Sequence, residues 1–252
     1  MNVFLTGASS GIGEALARHY AAQGATLGLV ARRAEFLSAL RSSLSTPAAT
    51  YAADVRDTAA IKSAGEDFIS RFGVPDLVIA NAGISHGTST EIADDAQTFR
   101  EIMDTNVVGI VNAFHPFVAA MRARGSGTLA GIASVAGLRG LPGASAYSAS
   151  KAAAISYLEA LRIELHGSGV KVCTVCPGFI RTPMTAKNPY PMPFIIEADD
   201  AARRIARVIA AGKSFAIVPW QMAILGRLLK VLPNPLLDKV LAGRAAKPRK
   251  GS

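Results

Sequence analysis

Near its N-terminus the chain has the sequence Thr6-Gly7-Ala8-Ser9-Ser10-Gly11-Ile12-Gly13, between the apolar run Val3-Phe4-Leu5 and a helical pattern that begins at Glu14. The glycines permit a tight turn and let the backbone and the following helix approach each other closely. The N-terminus of a helix attracts anions. The stretch therefore predicts a strand, a turn and a helix that hold the pyrophosphate of a dinucleotide, with a purely structural turn as the alternative.

Short apolar runs alternate with helical patterns along most of the chain. The apolar runs predict strands near 2–6, 25–31, 49–54, 75–81, 126–134, 170–176 and 214–218. The helical patterns predict helices near 11–24, 33–45, 57–72, 98–124, 146–167 and 198–212. Such alternation is typical of parallel strands joined by right-handed crossovers. We predict an α/β fold: residues 1–252 form a single-domain, doubly wound, Rossmann-type parallel sheet of about seven strands with helices on both faces. Its ligand crevice should lie beyond the carboxyl ends of the strands.

The composition fits one soluble enzyme-sized domain. The chain has 252 residues, of which 50% are hydrophobic, enough to bury one sizeable core. No N-terminal run resembles a signal peptide, so we expect a cytoplasmic protein.

The sequence predicts neither a disulfide nor a metal site. Cys173 and Cys176 lie in the apolar run 170–176, which predicts a strand. Residues three apart on a strand point to opposite faces, so these thiols can neither pair nor share a metal, and we expect ordinary buried thiols. The histidines have no ligand spacing; they are His19, His86, His115 and His166.

The formal net charge of +9 is concentrated near the C-terminus. Residues 213–252 contain eight Lys or Arg and one acidic residue, a net +7, which leaves +2 for residues 1–212. A nucleic-acid-binding face would require a basic stripe on the main body. We therefore predict no nucleic-acid partner.

Tyr147 and Lys151 are four residues apart in a helical pattern, which places a phenol and an ammonium on one helix face. An ordinary tyrosine titrates near ~10, and a neighbouring positive charge favours the phenolate and lowers that pKa. The pair therefore predicts an acid and base usable near neutral pH. An exposed tyrosine beside a solvated lysine is the alternative when the pair is considered alone.

With three residues between Gly7 and Gly11, the glycine turn resembles that of the short-chain dehydrogenase/reductase family. The resemblance extends from Thr6 to Thr182. Its other motifs are Asp54-Val55, Asn81-Ala82-Gly83, Asn106-Val107-Val108-Gly109, Ser134, Tyr147 with Lys151, and Pro177-Gly178. The resemblance implies an enzyme that interconverts a carbonyl compound and its alcohol by hydride transfer with a dinucleotide.

The resemblance also implies which residues contact the cofactor. Asp54 and Val55 would contact the adenine, and the motif at 81–83 would support the sheet beside the cofactor. The nicotinamide would be bordered by Pro177, Gly178, Ile180 and Thr182. The full predicted cofactor-binding set is Gly7, Ser9, Ser10, Gly11, Ile12, Gly13, Arg32, Arg33, Asp54, Val55, Asn81, Ala82, Gly83, Tyr147, Lys151, Pro177, Gly178, Ile180 and Thr182.

The end of the second predicted strand favours NADP(H), with NAD(H) as the alternative. Ala31 stands where an NAD-using member would carry an aspartate for the ribose 2′-hydroxyl, and Arg32 follows it. Arginine favours a 2′-phosphate. Ser10, however, stands where many NADP-using relatives have a basic residue. The alternative for Arg32 and Arg33 is a solvated pair that opens a helix.

By resemblance, the catalytic residues are Asn106, Ser134, Tyr147 and Lys151. Tyr147 would exchange a proton with the substrate oxygen, and Lys151 would lower the Tyr147 pKa and hold the nicotinamide ribose. Ser134 would hydrogen-bond the substrate oxygen and stabilise the charge that develops there. Asn106 would hold a water that links Lys151 to solvent.

The substrate region is predicted at residues 183–200. Its segment 189–194 is too rich in proline for a helix and exposes apolar side chains, which implies a small apolar carbonyl or alcohol substrate; an oligomer contact is the alternative. Ser85 and His86 could face the pocket or lie on a surface loop.

The C-terminal extension, about 213–252, combines an apolar helical pattern from Trp220 to Leu232 with basic residues. Its longest charge-free stretch, Ser214 to Gly226, is thirteen residues, short of the ~20 needed to span a bilayer. The helix could lie on an anionic membrane surface, but packing against the pocket or a second subunit is favoured. We expect the tail Arg244 to Ser252 to be disordered.

These observations favour an NADP(H)-preferring carbonyl reductase or alcohol dehydrogenase that forms a homodimer or homotetramer. One alternative is a membrane-associated reductase of a lipid-like ketone or 3-oxoacyl thioester. Another, of a different class, is a dinucleotide-binding sensor without turnover, against which the intact catalytic set argues.

Overall fold

The computed structural model describes residues 1–243 and 245–251. Its strands, in chain order, are β1 (Asn2–Thr6), β2 (Thr26–Ala31), β3 (Ala48–Ala52), β4 (Leu77–Ala80), β5 (Gly127–Ile132), β6 (Val170–Pro177), β7 (Ile180–Arg181), β8 (Ile196–Glu197) and β9 (Phe215–Val218). Its α-helices are α1 (Gly11–Ala22), α2 (Ala34–Ser42), α3 (Thr58–Phe72), α4 (Asp95–Met103), α5 (Gly109–Arg124), α6 (Ser145–Glu164), α7 (Ala198–Ala210), α8 (Trp220–Val231) and α9 (Asn234–Leu241).

The main sheet is parallel and has seven strands in the order β3-β2-β1-β4-β5-β6-β9. Strand order reverses between β1 and β4, which are neighbours. Loops that leave the carboxyl ends of these two strands diverge to opposite sides and open a crevice. The predicted single-domain α/β fold with a doubly wound parallel sheet is confirmed.

Alternation along each strand sends successive side chains to opposite faces of the sheet. In β1, Val3 and Leu5 pack on one face with α1, α2 and α7, whereas Phe4 packs on the other with α3, α5 and α6. All three side chains are fully buried. Both faces are therefore covered by helices, as the continuously apolar strands require.

The long helical stretch predicted at 98–124 differs in detail. It begins at Asp95, and a π-helical turn at Asp104–Val108 separates α4 from α5. A π-helical turn places one extra residue in the helix and is frequently found at functional sites. Here it carries Asn106, one of the predicted catalytic residues.

The substrate region and the C-terminal extension contain elements that the sequence patterns did not predict. The two-residue strands β7 and β8 pair with each other on either side of residues 182–195, and α9 follows α8. In the described residues, no helix is long and apolar enough to cross a membrane. Helix α8 packs its inner face, through Met222 and Gly226, against Gly178 and Leu138, so it supports the wall of the crevice.

The predicted disorder of the tail is wrong for residues 245–251, which we term the C-terminal strap. Arg249 Nε lies 2.9 Å from Asp95 Oδ2, and Lys250 Nζ lies 2.5 Å from Glu101 Oε2. These ion pairs fix the strap to α4. The remaining residues of the predicted tail, Arg244 and Ser252, lie outside the described residues.

Candidate active site

The glycine turn is held against β4 by polar contacts of Asn81. Its Nδ2 donates to the carbonyl oxygens of Thr6 at 3.1 Å and Gly7 at 3.3 Å, and Thr6 Oγ1 accepts from the backbone N–H groups of Asn81 and Ala82. A Cβ atom on Gly13 would collide with the Gly7 carbonyl oxygen. The turn therefore needs glycine at 13 so that α1 can start directly beneath it.

The N-terminus of α1 is open to an anion. Ser10 precedes the helix, but its side chain makes no capping hydrogen bond to the first turn. Several N–H groups at a helix N-terminus lack partners within the helix, and the helix dipole adds partial positive charge there. Together with the glycine cradle, this end of α1 fits the pyrophosphate of a dinucleotide.

A cavity of about 400 Å³ extends from the glycine turn to helix α6. All predicted cofactor-binding residues except Gly13 line it, as does Ser134. Asn106 is fully buried behind this lining. Thr105, which precedes Asn106, and Ile84, which follows the motif at 81–83, do line the cavity. The sequence analysis did not predict either of them as a site residue. Their proximity to predicted motifs was the available signal.

Arg33, rather than Arg32, reaches the glycine turn. Its Nη2 donates to Ser9 Oγ at 3.2 Å and approaches Ser10 Oγ at 3.4 Å, while its guanidinium lies 4.0 Å from the centroid of the Phe36 ring. Arg32 also lines the cavity. Arg33 thus places a positive charge beside Ser9 and Ser10 of the glycine turn.

Asp54 and Val55 also line the cavity, near Arg32. The Asp54 carboxylate pairs with Arg56 at 2.7 Å, and hydrogen bonds from Arg56 hold the pKa of that carboxyl below its ordinary value. The Val55 carbonyl accepts a 2.8 Å hydrogen bond from Asn112 Nδ2. Both positions are thus fixed by neighbours within the protein.

Tyr147 and Lys151 are one turn apart on α6, as predicted. Lys151 Nζ is 5.9 Å from the centroid of the Tyr147 ring and donates a 2.8 Å hydrogen bond to the Ile132 carbonyl. Burial raises the pKa of Tyr147 above its ordinary value, although a hydrogen bond with Ser134 acts in the opposite direction. Burial also lowers the pKa of Lys151 to about 8. The predicted lowering of the Tyr147 pKa by Lys151 is not found in this arrangement, because the ammonium is directed at the Ile132 carbonyl.

Ser134 follows β5 and lies beside Tyr147. Its Oγ accepts a 3.1 Å hydrogen bond from the Ala136 N–H, which caps a short 3₁₀ turn. The same oxygen lies 3.5 Å from the Pro177 carbonyl oxygen. Ser134 therefore has a fixed position at the carboxyl end of β5, where parallel-sheet proteins bind ligands.

The side chain of Asn106 connects three parts of the protein through hydrogen bonds, and we refer to it below as a clamp. Its Oδ1 accepts from the Ile84 N–H at 2.8 Å, and its Nδ2 donates to the Ile84 carbonyl oxygen and to Ser150 Oγ, both at 3.0 Å. It thereby joins the π-helical turn to the loop after β4 and to α6. The predicted water-holding role of Asn106 remains a prediction.

The loop between β7 and β8 approaches the other side of Tyr147. Tyr190 lies close enough to contribute to the raised pKa of Tyr147, and its ring is 6.4 Å from that of Phe179. Met184 and Thr185 line the cavity. The segment has no helix at 189–194, as its prolines predicted. The loop therefore forms part of the cavity wall on the side of Tyr147.

The two cysteines form no disulfide, and burial disfavours their thiolate forms. Cys173 and Cys176 are free and buried in β6. Burial raises the pKa of the Cys173 thiol to about 11 and that of Cys176 to about 12. The prediction of ordinary buried thiols is confirmed.

Comparisons with known proteins agree with this fold. The sequence model described as short chain dehydrogenase matches residues 1–191. The chain is 39% identical to an uncharacterized oxidoreductase of Myxococcus xanthus over 237 residues, which cover 93% of each protein. It is 37% identical to an 11-beta-hydroxysteroid dehydrogenase-like protein, 4A, of Arabidopsis thaliana over 248 residues, 94% of this chain and 82% of that protein.

A solved structure is similar over most of its length. The 3-ketoacyl-(acyl-carrier-protein) reductase of Brucella melitensis, which was solved in complex with NADH, superposes with a TM-score of 0.78 at 26% identity. The superposition covers 86% of this chain and 96% of that one. Together with the family match over residues 1–191, the sheet order and the placement of the glycine turn, these similarities show that the chain belongs to the short-chain dehydrogenase/reductase family of oxidoreductases.

Proposed function

We propose that this protein is an NADP(H)-preferring reductase that interconverts a carbonyl compound and its alcohol. One observation carries the proposal: a single cavity is lined at one end by the glycine turn with Arg32 and Arg33, and at the other by Ser134, Tyr147 and Lys151. A dinucleotide long enough to bind both ends would bring its reactive ring beside a phenol, a hydroxyl and an amine.

The residues around the cavity fit that cofactor. The uncapped N-terminus of α1 and the glycine cradle suit the pyrophosphate, and Pro177, Gly178 and Ile180 border the nicotinamide end. When bound, the cofactor supplies or accepts the hydride. The protein orients the substrate, excludes water through the loop between β7 and β8, and moves the proton.

Tyr147 is the proposed proton donor to the substrate oxygen during reduction. Burial favours the neutral form of the phenol by raising its pKa, so Tyr147 holds the proton that it is proposed to donate. Ser134 holds the same oxygen and stabilises the negative charge that develops on it. Lys151 is proposed to hold the nicotinamide ribose, and Asn106 to fix the loop at Ile84 that borders the reacting groups. Positioned proton transfer typically contributes ~10²–10⁴-fold to a rate.

NADP(H) preference is supported by charge. Arg32 and Arg33 line the adenosine end of the cavity, and Ala31 leaves the end of β2 without a carboxylate. A guanidinium forms charge-assisted, often bidentate hydrogen bonds with phosphate. The 2′-phosphate of NADP(H) is the group that would use them.

The test is oxidation of NADPH in the presence of a panel of ketones, aldehydes and acyl thioesters, followed by absorbance. We expect turnover of at least one carbonyl class and loss of at least ~10²-fold of it in Tyr147→Phe. Binding of NADPH without any turnover would support the alternative of a dinucleotide-binding sensor. A dependence of turnover on acyl chain length would favour the alternative of a lipid-like ketone or 3-oxoacyl thioester.

Assembly and location complete the proposal. We propose a homodimer or homotetramer, since α8 exposes a row of apolar side chains. Contact of the same helix with a membrane surface is the alternative, supported by its neighbours Arg227 and Lys230. The cytoplasmic location remains a prediction from the sequence.

A further inference from the structure

The C-terminal strap contacts the loop after β4 and the loop before α6, the helix that carries Tyr147. The Pro248 carbonyl accepts a 2.8 Å hydrogen bond from the Gly87 N–H, and Arg249 forms a parallel bridge with Gly87. Gly87 lies on the loop after β4. A Cβ atom on Gly143, in the loop before α6, would collide with Ala246. The strap is therefore in close contact with the loop after β4 and with the loop before α6.

The strap is fixed by buried charge rather than by apolar packing. Asp95, only 6% exposed, accepts from the Ser89 N–H at 2.7 Å and from the Arg249 guanidinium at 2.9 to 3.2 Å. One carboxylate thus holds the loop after β4 and the strap together. Lys250 adds a second ion pair, with Glu101.

This anchoring places a lysine beside the proposed acid. Lys247 Nζ lies 5.8 Å from the centroid of the Tyr147 ring, close to the distance of Lys151 from the same ring. The side chain of Lys247 is partly buried. Among residues 1–243 and 245–251, its amine has neither an acidic partner nor a hydrogen bond, unlike the neighbouring charges Arg249 and Lys250.

Further positive charge lies near Lys247. His86, on the loop that the strap crosses, has a pKa below its ordinary value because of burial and of the charges of Lys247, Lys250 and Lys187. Glu101, which opposes this shift, is already paired with Lys250. The surroundings of Lys247 are therefore positive, and its amine has no counter-ion within the described protein.

We propose that Lys247 is a specificity-determining residue that binds an anionic group, a carboxylate or phosphate, on the carbonyl substrate. This inference rests on the proposed function and narrows its substrate class: an otherwise apolar carbonyl compound with one negative group a few bonds from the reacting carbon. An unpaired, partly buried amine gains a charge-assisted hydrogen bond from such a group. A neutral substrate would leave the amine unpaired.

The test compares matched substrates: 3-acetylbenzoate, its methyl ester, and 3-acetylphenyl phosphate. The ester shares the ketone and ring of the acid but lacks its charge, and the phosphate distinguishes the two anion types. We expect wild-type kcat/KM to be higher for at least one anion than for the ester. In Lys247→Met, which retains an unbranched side chain, that preference should fall about tenfold or more, mainly through KM.

Two further variants separate charge from general disturbance. Lys213→Met removes an exposed lysine in the turn before β9 and should leave the preference unchanged. Arg249→Met removes the anchor to Asp95, away from the proposed acid, and should reduce the preference because Lys247 is no longer held in place. A preference that survives in Lys247→Met, or equal gains for acid and ester in that variant, would overturn the proposal, since the strap would then only obstruct the site.

The pH dependence adds an independent readout. Burial lowers the pKa of Lys247 to about 8, so its charge, and with it the preference for the anion, should decline as the pH rises through about 8. The other titratable groups facing it are Tyr147 and Lys151 on α6, His86 on the loop and Lys250 on the strap. Lys151 has a similar pKa; if it were responsible, the decline would persist in Lys247→Met, against the proposal.

Calorimetric titration separates this inference from the proposed function. The protein saturated with NADP⁺ cannot reduce a ketone, so binding of 3-acetylbenzoate and of 3-acetylphenyl phosphate can be measured without turnover. At least one anion should bind about tenfold or more weakly to Lys247→Met than to wild type and Lys213→Met. Equal affinities would reject the role of Lys247 even in an active reductase. Absence of turnover together with the expected affinities would reject only the proposed reaction.

Discussion

At the scale of single residues, the pKa of each titratable side chain in the site depends on the groups that it contacts and on its burial. Lys151 was expected to activate Tyr147, yet its Nζ donates to the Ile132 carbonyl and burial raises the Tyr147 pKa. The spacing of the pair is visible in the sequence because four residues make about one helical turn. The direction of the ammonium is not, because it depends on a carbonyl nineteen positions away.

The two arginines after β2 give a prediction about cofactor choice. Replacing either Arg32 or Arg33 by Asp should lower NADPH affinity far more than NADH affinity, because a cation is lost and a carboxylate repels the 2′-phosphate. The Arg33 change should be at least as damaging, since its guanidinium already reaches Ser9 and Ser10. Fluorescence titration with both cofactors measures the effect.

Arg162→Asp is the matched control, because Arg162 is exposed on α6 and lies outside the residues that line the cavity. It should leave the ratio of the two affinities unchanged. If the ratio is also unchanged in both Arg32→Asp and Arg33→Asp, the assignment of these residues to the phosphate is wrong.

At the scale of elements, local sequence patterns predicted the strands and the main helices. They did not predict the segments that depend on contacts between distant parts of the chain. Buried strands such as β4, Leu77–Ala80, are continuously apolar and therefore recognisable. The π-helical turn at Asp104–Val108 depends on Asn106 binding Ile84 and Ser150, far along the chain. The strap was expected to be disordered because basic tails usually are. Its acidic partners lie about 150 positions earlier, so no local pattern reveals them.

Asn106→Ala tests the hydrogen bonds that connect the π-helical turn to the loop after β4 and to α6. The substitution leaves the backbone N–H and carbonyl of Ile84 without partners in a partly buried place, which should lower the free energy of unfolding by about 1–3 kcal/mol. Urea unfolding followed by circular dichroism measures the change. Asn188→Ala, which loses only a contact with the Met192 sulfur, should cost much less. Equal costs for the two variants would mean that Asn106 is not a clamp.

At the scale of the whole molecule, the C-terminal extension carries both most of the net positive charge and an exposed apolar face. Trp220, Ile224, Leu228 and Val231 are 57% to 76% exposed along one side of α8, and the first three are each four residues apart. The opposite side packs on Gly178 and Leu138. The sequence predicted the helix but left open whether it packs against the pocket or against a second subunit. The partner that covers the outer side is a second molecule, and no local pattern of the sequence identifies it.

We expect that partner to be a second copy of the protein. The double substitution Ile224→Glu with Leu228→Glu should reduce the molar mass measured by light scattering, because two carboxylates would have to be buried in the contact. Ile163→Glu, which changes an equally exposed isoleucine on α6, should leave the mass unchanged. If the double variant keeps its mass but loses salt-sensitive binding to anionic vesicles, the helix contacts a membrane instead.

The central claim, that this fold transfers hydride between NADPH and a carbonyl carbon with Tyr147 as the acid, is tested most directly by isotope transfer. NADPH deuterated at the reactive ring carbon is incubated with the protein and the best carbonyl substrate, and the alcohol product is examined by mass spectrometry. We predict one deuterium on the carbinol carbon with wild type, and at least ~10²-fold slower appearance of that product with Tyr147→Phe. Deuterium transfer at an undiminished rate in Tyr147→Phe, or none from wild type to any carbonyl despite bound NADPH, would contradict it.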